Sequence, residues 1–184
     1  AKKSFRPPRW GKPFGYFENT FSKLIALSFV QFSTLIFIDN DCIALRNIDH
    51  LATVPTPAFA FHKVDEGLNS GLMVITPNTE LAAQAEQILL HEKPPRAALQ
   101  RTQRIGDANN DFSDQEVWTE LFIRNKINVY ELPYGFNFRW HAVMSHEERC
   151  NVYVSHGRLD PRSGTLPRAI GERRRSCHLA SMGK

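Results

Sequence analysis

The run Thr34-Leu35-Ile36-Phe37-Ile38 breaks directly into Asp39-Asn40-Asp41. A short, continuous stretch of β-branched and aromatic residues predicts a strand buried on both faces, as in a parallel sheet. In extended backbone, residues i and i+2 point the same way, so Asp39 and Asp41 can face one crevice. Two neighbouring carboxylates repel unless a cation neutralises them. Oxygen ligands suit Mn²⁺ or Mg²⁺, and either ion can also grip a diphosphate. The plainer account is two polar residues at a strand exit, and a bare D-x-D motif does not decide between them.

The flanking sequence repeats the alternation of strand and helix. Asn19 or Thr20 can cap a helix with Phe21, Leu24, Ile25, Ser28 and Phe29 on one face. Ala58–His62 and Leu72–Ile75 read as strands. Pro77-Asn78-Thr79 starts a helix running to about His91, with Leu81, Ala85, Ile88 and Leu89 on one face and Pro94-Pro95 beyond its end. Residues 96–112 are polar and read as a loop. Ser113 and Glu116 form an S-x-x-E capping box opening a helix with Val117, Trp118, Leu121 and Phe122. Asn128–Leu132 and Asn151–Val154 are the last strand candidates. The pattern predicts an α/β fold: a mixed, mostly parallel sheet flanked by helices, spanning residues 1–161. In such sheets ligands sit beyond the carboxyl ends of strands, which points to Asp39-Asn40-Asp41.

With 184 residues, the chain suits one domain with a real core. Residues 158–184 hold seven Lys/Arg and two Asp/Glu, leaving 16 basic and 17 acidic residues in 1–157. The net charge of +4 therefore lies at the end of the chain, not on a folded face with interleaved aromatics, which argues against a nucleic-acid partner. Residues 162–184 show no periodicity and are expected to be a disordered basic tail. No apolar run is long enough to span a bilayer. Cys42, Cys150 and Cys177 form no CxxC pair and leave the compartment open, with the cytoplasm and the Golgi lumen as the leading candidates.

Several blocks together resemble glycosyltransferase family 8, the glycogenin and galactinol synthase group. They are Phe21-Ser22-Lys23-Leu24, the Leu35–Asp41 segment with Leu45-Arg46-Asn47-Ile48-Asp49-His50-Leu51, Leu68-Asn69-Ser70-Gly71-Leu72-Met73-Val74-Ile75, Ser113-Asp114-Gln115, and Leu132-Pro133-Tyr134-Gly135-Phe136-Asn137. The resemblance implies a GT-A-type, Rossmann-like fold and retaining transfer of a hexose or pentose from a UDP-sugar. The acceptor would be a carbohydrate, a protein or a polyol, and a homodimer is left open. Asp39 and Asp41 would hold the divalent ion, usually Mn²⁺. Lys23 would neutralise the donor phosphate or bond the sugar. Asn69 and Ser70 would contact the donor sugar, with Gly71 allowing close backbone approach. Asp114 and Gln115 would lie near the anomeric carbon. Outside the resemblance, Lys23 reads as a solvated helix lysine, Asn69-Ser70-Gly71 as a turn before a strand, and Asp114 as a capping acid.

The family's closing "HxxGxxKPW" stretch is altered. Aligned on Gly157 and Pro161, its His position holds Val154 and its Lys position holds Asp160. Gly157 is kept as a donor-binding position, Arg158 can supply charge, and His156, two residues late, is the candidate third metal ligand. The strand–helix units that bind uracil and ribose in the family have no counterpart before Lys23. The resemblance therefore implies an N-terminally truncated domain that binds UDP-sugar weakly by itself and leaves part of its sheet uncovered. Two other readings stay open: a catalytically inactive, glycosyltransferase-like binding or scaffold module, and a metal-dependent phosphohydrolase built on Asp39 and Asp41. The latter leaves the other blocks unexplained.

Overall fold

The computed structural model describes residues 5, 19–61, 67–91, 113–139 and 154–156. The expected loop 96–112, Pro94-Pro95, His62, residues 151–153, Gly157 and the tail 162–184 lie outside these described residues. The centre is a four-stranded sheet. Its strands are β1 (Leu35–Ile38), β3 (Ala58–Phe61), β4 (Leu68–Ile75) and β5 (Tyr130–Leu132), in the order β1-β4-β3-β5. A second sheet of three short strands, β2 (Cys42–Ala44), β6 (Phe138–Arg139) and β7 (Val154–His156), has the order β2-β7-β6.

The four-stranded sheet separates two apolar clusters. Leu35, Phe37, Met73, Ile75 and Phe59 face one, and Ile36, Ile38, Leu72, Val74 and Ala58 face the other. This is the period-2 alternation of a strand, with apolar residues required on both sides. The first cluster is closed by a 3₁₀ segment (Thr20–Ser28), by α1 (Thr79–Leu90) and by α2 (Asp114–Arg124). The second is closed by Leu51, from the 3₁₀ turn Asp49–Thr53, and by Phe136. On the helical side Phe59 meets Trp118 at 5.8 Å and Phe122 at 5.4 Å between ring centroids, a tilted and an edge-on contact that aromatic quadrupoles favour.

Several sequence expectations are corrected. The sheet is mixed, but among the described residues β1–β4, β3–β4 and β2–β7 pair antiparallel, and only β3–β5 and β6–β7 pair parallel. β1 is not doubly buried. It is half-buried throughout and lies at the end of the four-stranded order, with a strand neighbour on one edge only among the described residues. The Lys23 segment is a 3₁₀ helix, not an α-helix. It buries Phe21, Leu24 and Leu27 at intervals of three, the repeat of that helix, while Phe29 is 40% exposed. Asn19 occupies the N-cap there without a side-chain bond.

The other helices begin as expected. Asn78 caps α1 by accepting from the Glu80 and Leu81 amides. Ser113 and Glu116 form the reciprocal capping box of α2. At the far end of α2, the Ile127 amide bonds Phe122 O at 2.9 Å and the Lys126 amide bonds Ile123 O at 3.2 Å, a Schellman closure. Lys126 takes the left-handed position there, at φ 53°.

Candidate functional site

The end of β1 meets the middle of β4. Ile38 pairs with Leu72, and one step further the Asp39 amide donates to Gly71 O at 2.9 Å. On its other side β4 breaks register. Phe59 pairs with Met73 and Ala60 with Asn69, so Ser70, Gly71 and Leu72 bulge away from β3. Bulges re-aim side chains, and this one sits where Ser70 can reach out of the sheet. The segment Asn69-Ser70-Gly71 is therefore part of a strand, not a turn before one. β4 begins at Leu68, preceded by Gly67 at φ +79°, a conformation that suits glycine.

Lys23 joins this centre to the helical layer. Its Nζ donates to Asp39 Oδ2 at 2.7 Å and to Ser70 Oγ at 3.2 Å, and lies 3.9 Å from Asp114 Oδ1. The side chains of Lys23 and Asp39 are 13% and 19% exposed, whereas Asp114 is 1% exposed. Asp114 Oδ2 accepts from Trp118 Nε1 at 3.1 Å, one helical turn along α2. Burial pushes the Asp114 carboxyl up to about 6. Lys23 and a hydrogen bond from Ser70 oppose that rise, while Asp39 and Glu116 add to it.

Asp41 follows in the turn that leads into β2, closed by the Cys42 amide on Asp39 O at 3.0 Å. Cys42 lies against Gly71 O, Sγ to O 3.7 Å. Burial, with Asp41 and Asp39 nearby, raises its thiol to about 12, so it stays protonated and is a poor nucleophile. In the second sheet Cys42 is the register partner of His156, which brings the His156 backbone beside the acidic turn.

The structure thus gathers Lys23, Asp39, Ser70 and Asp114 around one ammonium, with Asn69, Gly71 and Asp41 next to them. Gln115 follows Asp114 in the first turn of α2, where its backbone amide donates to the Ser113 hydroxyl at 3.3 Å. Among the described residues no group of three or more His, Cys, Asp and Glu side chains could hold a metal ion. Asp39 and Asp41 supply oxygen donors of the kind that suits Mn²⁺ or Mg²⁺. His156 is placed by backbone register only.

Sequence reasoning missed Asn137, Cys42 and Trp118. Asn137 is buried, and its Nδ2 donates to Asn69 Oδ1, which also accepts from the Gly71 amide at 2.7 Å. Its place in Leu132-Pro133-Tyr134-Gly135-Phe136-Asn137 marked it as part of a block but carried no sign of its partner. Trp118 read as an apolar helix residue, and nothing in the spacing showed that its N–H meets Asp114.

No protein-family model matches the chain, and no curated protein matches it. Solved structures do. The glycosyltransferase GlyE of Streptococcus pneumoniae TIGR4 superposes with a TM-score of 0.50 at 14% identity, over 86% of this chain and 43% of that one. The galactosyltransferase LgtC, solved with donor and acceptor sugar analogs, superposes with a TM-score of 0.51 at 15% identity, over 85% of this chain and 66% of that one. The fold is GT-A-like. The chain therefore spans less than half the length of GlyE and about two thirds of LgtC. No helix among the described residues is long and apolar enough to cross a membrane.

Proposed function

We propose that the chain carries the donor-site core of a retaining, metal-dependent glycosyltransferase of family 8, acting on a UDP-sugar. The observation that carries this reading is the convergence on Lys23 Nζ of Asp39, Ser70 and Asp114, from three segments far apart in sequence. In this reading Asp39 and Asp41 would hold Mn²⁺ or Mg²⁺, and His156, placed by backbone register only, is the candidate third protein ligand. The ion, when bound, supplies Lewis-acid stabilisation of the diphosphate leaving group. Lys23 presents a fixed positive charge to the same phosphates or to a sugar hydroxyl. Asp114 and Ser70, both beneath the surface, hold that ammonium in place, so little reorganisation is needed when charge develops.

Asn69, Ser70 and Gly71 would contact the donor sugar, and Gly157, outside the described residues, would be a further donor-binding position. Gln115, half-buried at the start of α2, is the better-exposed member of the Asp114-Gln115 pair for contact near the anomeric carbon. Asp114 acts chiefly through Lys23, because both of its oxygens already face protein partners. The acceptor would be a carbohydrate, a protein or a polyol.

The test uses the complete protein with UDP-glucose, UDP-galactose and UDP-xylose in Mn²⁺. Calorimetric binding together with metal-stimulated hydrolysis or transfer of one of them is the expected result. Absence of binding to all three, or unchanged turnover in excess chelator, would overturn the reading.

A further inference from the structure

The bulge in β4 carries two groups that the site depends on, Ser70 Oγ and Gly71 O. Neither is held by β3, because the ladder skips from Met73 to Asn69 at that point. What holds the bulge is a chain of hydrogen bonds through its interior. Asn137 Nδ2 donates to Asn69 Oδ1, and the Gly71 amide donates to the same oxygen at 2.7 Å. Gly71 O in turn accepts from the Asp39 amide at 2.9 Å. The chain starts just after the 3₁₀ turn Tyr134–Phe136 and ends on the backbone of the acidic turn.

A second observation concerns cost. Asn137 is 5% exposed, and its Oδ1 has no hydrogen-bond partner among the described residues. A buried acceptor left unpaired costs about 1–3 kcal/mol. An apolar residue of similar size would avoid that cost, so stability alone does not account for asparagine at this position. What an apolar residue could not do is donate to Asn69. With Oδ1 held by two donors, the Asn69 carboxamide has a single orientation, and the peptide around Gly71 is fixed with it.

We infer that Asn137 is a positioning residue for the acidic turn, fixing Asp39 and Ser70 through Asn69 and Gly71. That these groups serve a sugar-nucleotide donor rests on the function proposed above. The hydrogen-bond relay itself does not.

The experiment compares the complete protein with its Asn137→Leu variant, and with Asn137→Ala should leucine fail to fold. Amide hydrogen exchange at Gly71 and Asp39 is measured first, against Phe37 and Ile75, which lie in hydrogen-bonded pairs of the β1–β4 ladder, as controls. The expected result is exchange about tenfold faster at Gly71 and Asp39, with the control amides unchanged and the melting temperature held or raised. Unchanged exchange at Gly71 and Asp39 would overturn the inference. Equal acceleration at all four amides would overturn it too, since that marks a purely structural role. The second readout is donor kinetics with whichever UDP-sugar the wild type accepts: KM is expected to rise about tenfold with kcat nearly constant. A wild type that binds none of the three UDP-sugars defeats the proposed function, while hydrogen exchange still decides the role of Asn137.

Discussion

Lys23 Nζ sits 2.7 Å from Asp39 Oδ2, yet the same ammonium lies only 3.9 Å from the far more deeply buried Asp114 Oδ1. One cation thus serves a carboxylate at the surface of the site and another beneath it. Removing it strands two negative charges, the inner one with little access to water. Lys23→Met should therefore destabilise the protein by about 2 kcal/mol at pH 7, less than a fully buried broken pair because Asp114 can protonate instead. Urea unfolding at pH 7 and pH 5 checks this, with a smaller loss expected at the lower pH. An equal loss at both would show that Asp114 does not take up the proton.

The Asp114 carboxyl is raised from 3.8 to about 6, chiefly by burial. Its folded pKa exceeds its unfolded one, so the folded state binds more protons between those values. The contribution of this group to stability is then greatest below about 4, falls as pH rises to about 6, and is flat above. Asp114→Asn keeps an acceptor for Trp118 Nε1 without the charge. Its stability relative to wild type should climb across that window and then level off. Paired denaturation series from pH 3.5 to 8 would reveal a pH-independent difference if the carboxyl titrates normally.

Asp39→Asn and Asp41→Asn each leave one carboxylate in the acidic turn. In the complete protein either change should abolish Mn²⁺-stimulated turnover of a UDP-sugar, because one carboxylate holds an ion against a diphosphate poorly. Steady-state assays with added Mn²⁺ are the measurement, and full activity of either variant would remove the metal from the mechanism.

Lys126 occupies the left-handed position of the Schellman closure after α2 with its side chain in solvent. That conformation costs a non-glycine residue about 1–2 kcal/mol, and glycine gives back part of the gain as chain entropy. Lys126→Gly should stabilise the protein by about 0.5–1 kcal/mol, read as a higher melting temperature. A lower one would mean the lysine side chain makes a contact worth more than the strain.

Local chemistry was legible in the residues themselves. The Ser113–Glu116 box, the helix start at Pro77-Asn78-Thr79 and the apolar strand ending in Asp39-Asn40-Asp41 are short-range patterns, and each reappears at its position in the structure. The ordered blocks likewise pointed to the GT-A-like fold. Pairing partners were not legible. A short apolar run looks the same whether the neighbouring strand lies parallel or antiparallel, so β1 read as parallel and proved antiparallel at the end of its sheet. The Thr20–Ser28 segment had apolar residues compatible with two helical repeats, and packing against the sheet selected the repeat of three. Tertiary structure alone also joined Asn137 to Asn69 and Trp118 to Asp114. A hydrogen bond depends on distance and direction in space, and a bulge of three residues in β4 can create or abolish one without altering any local pattern.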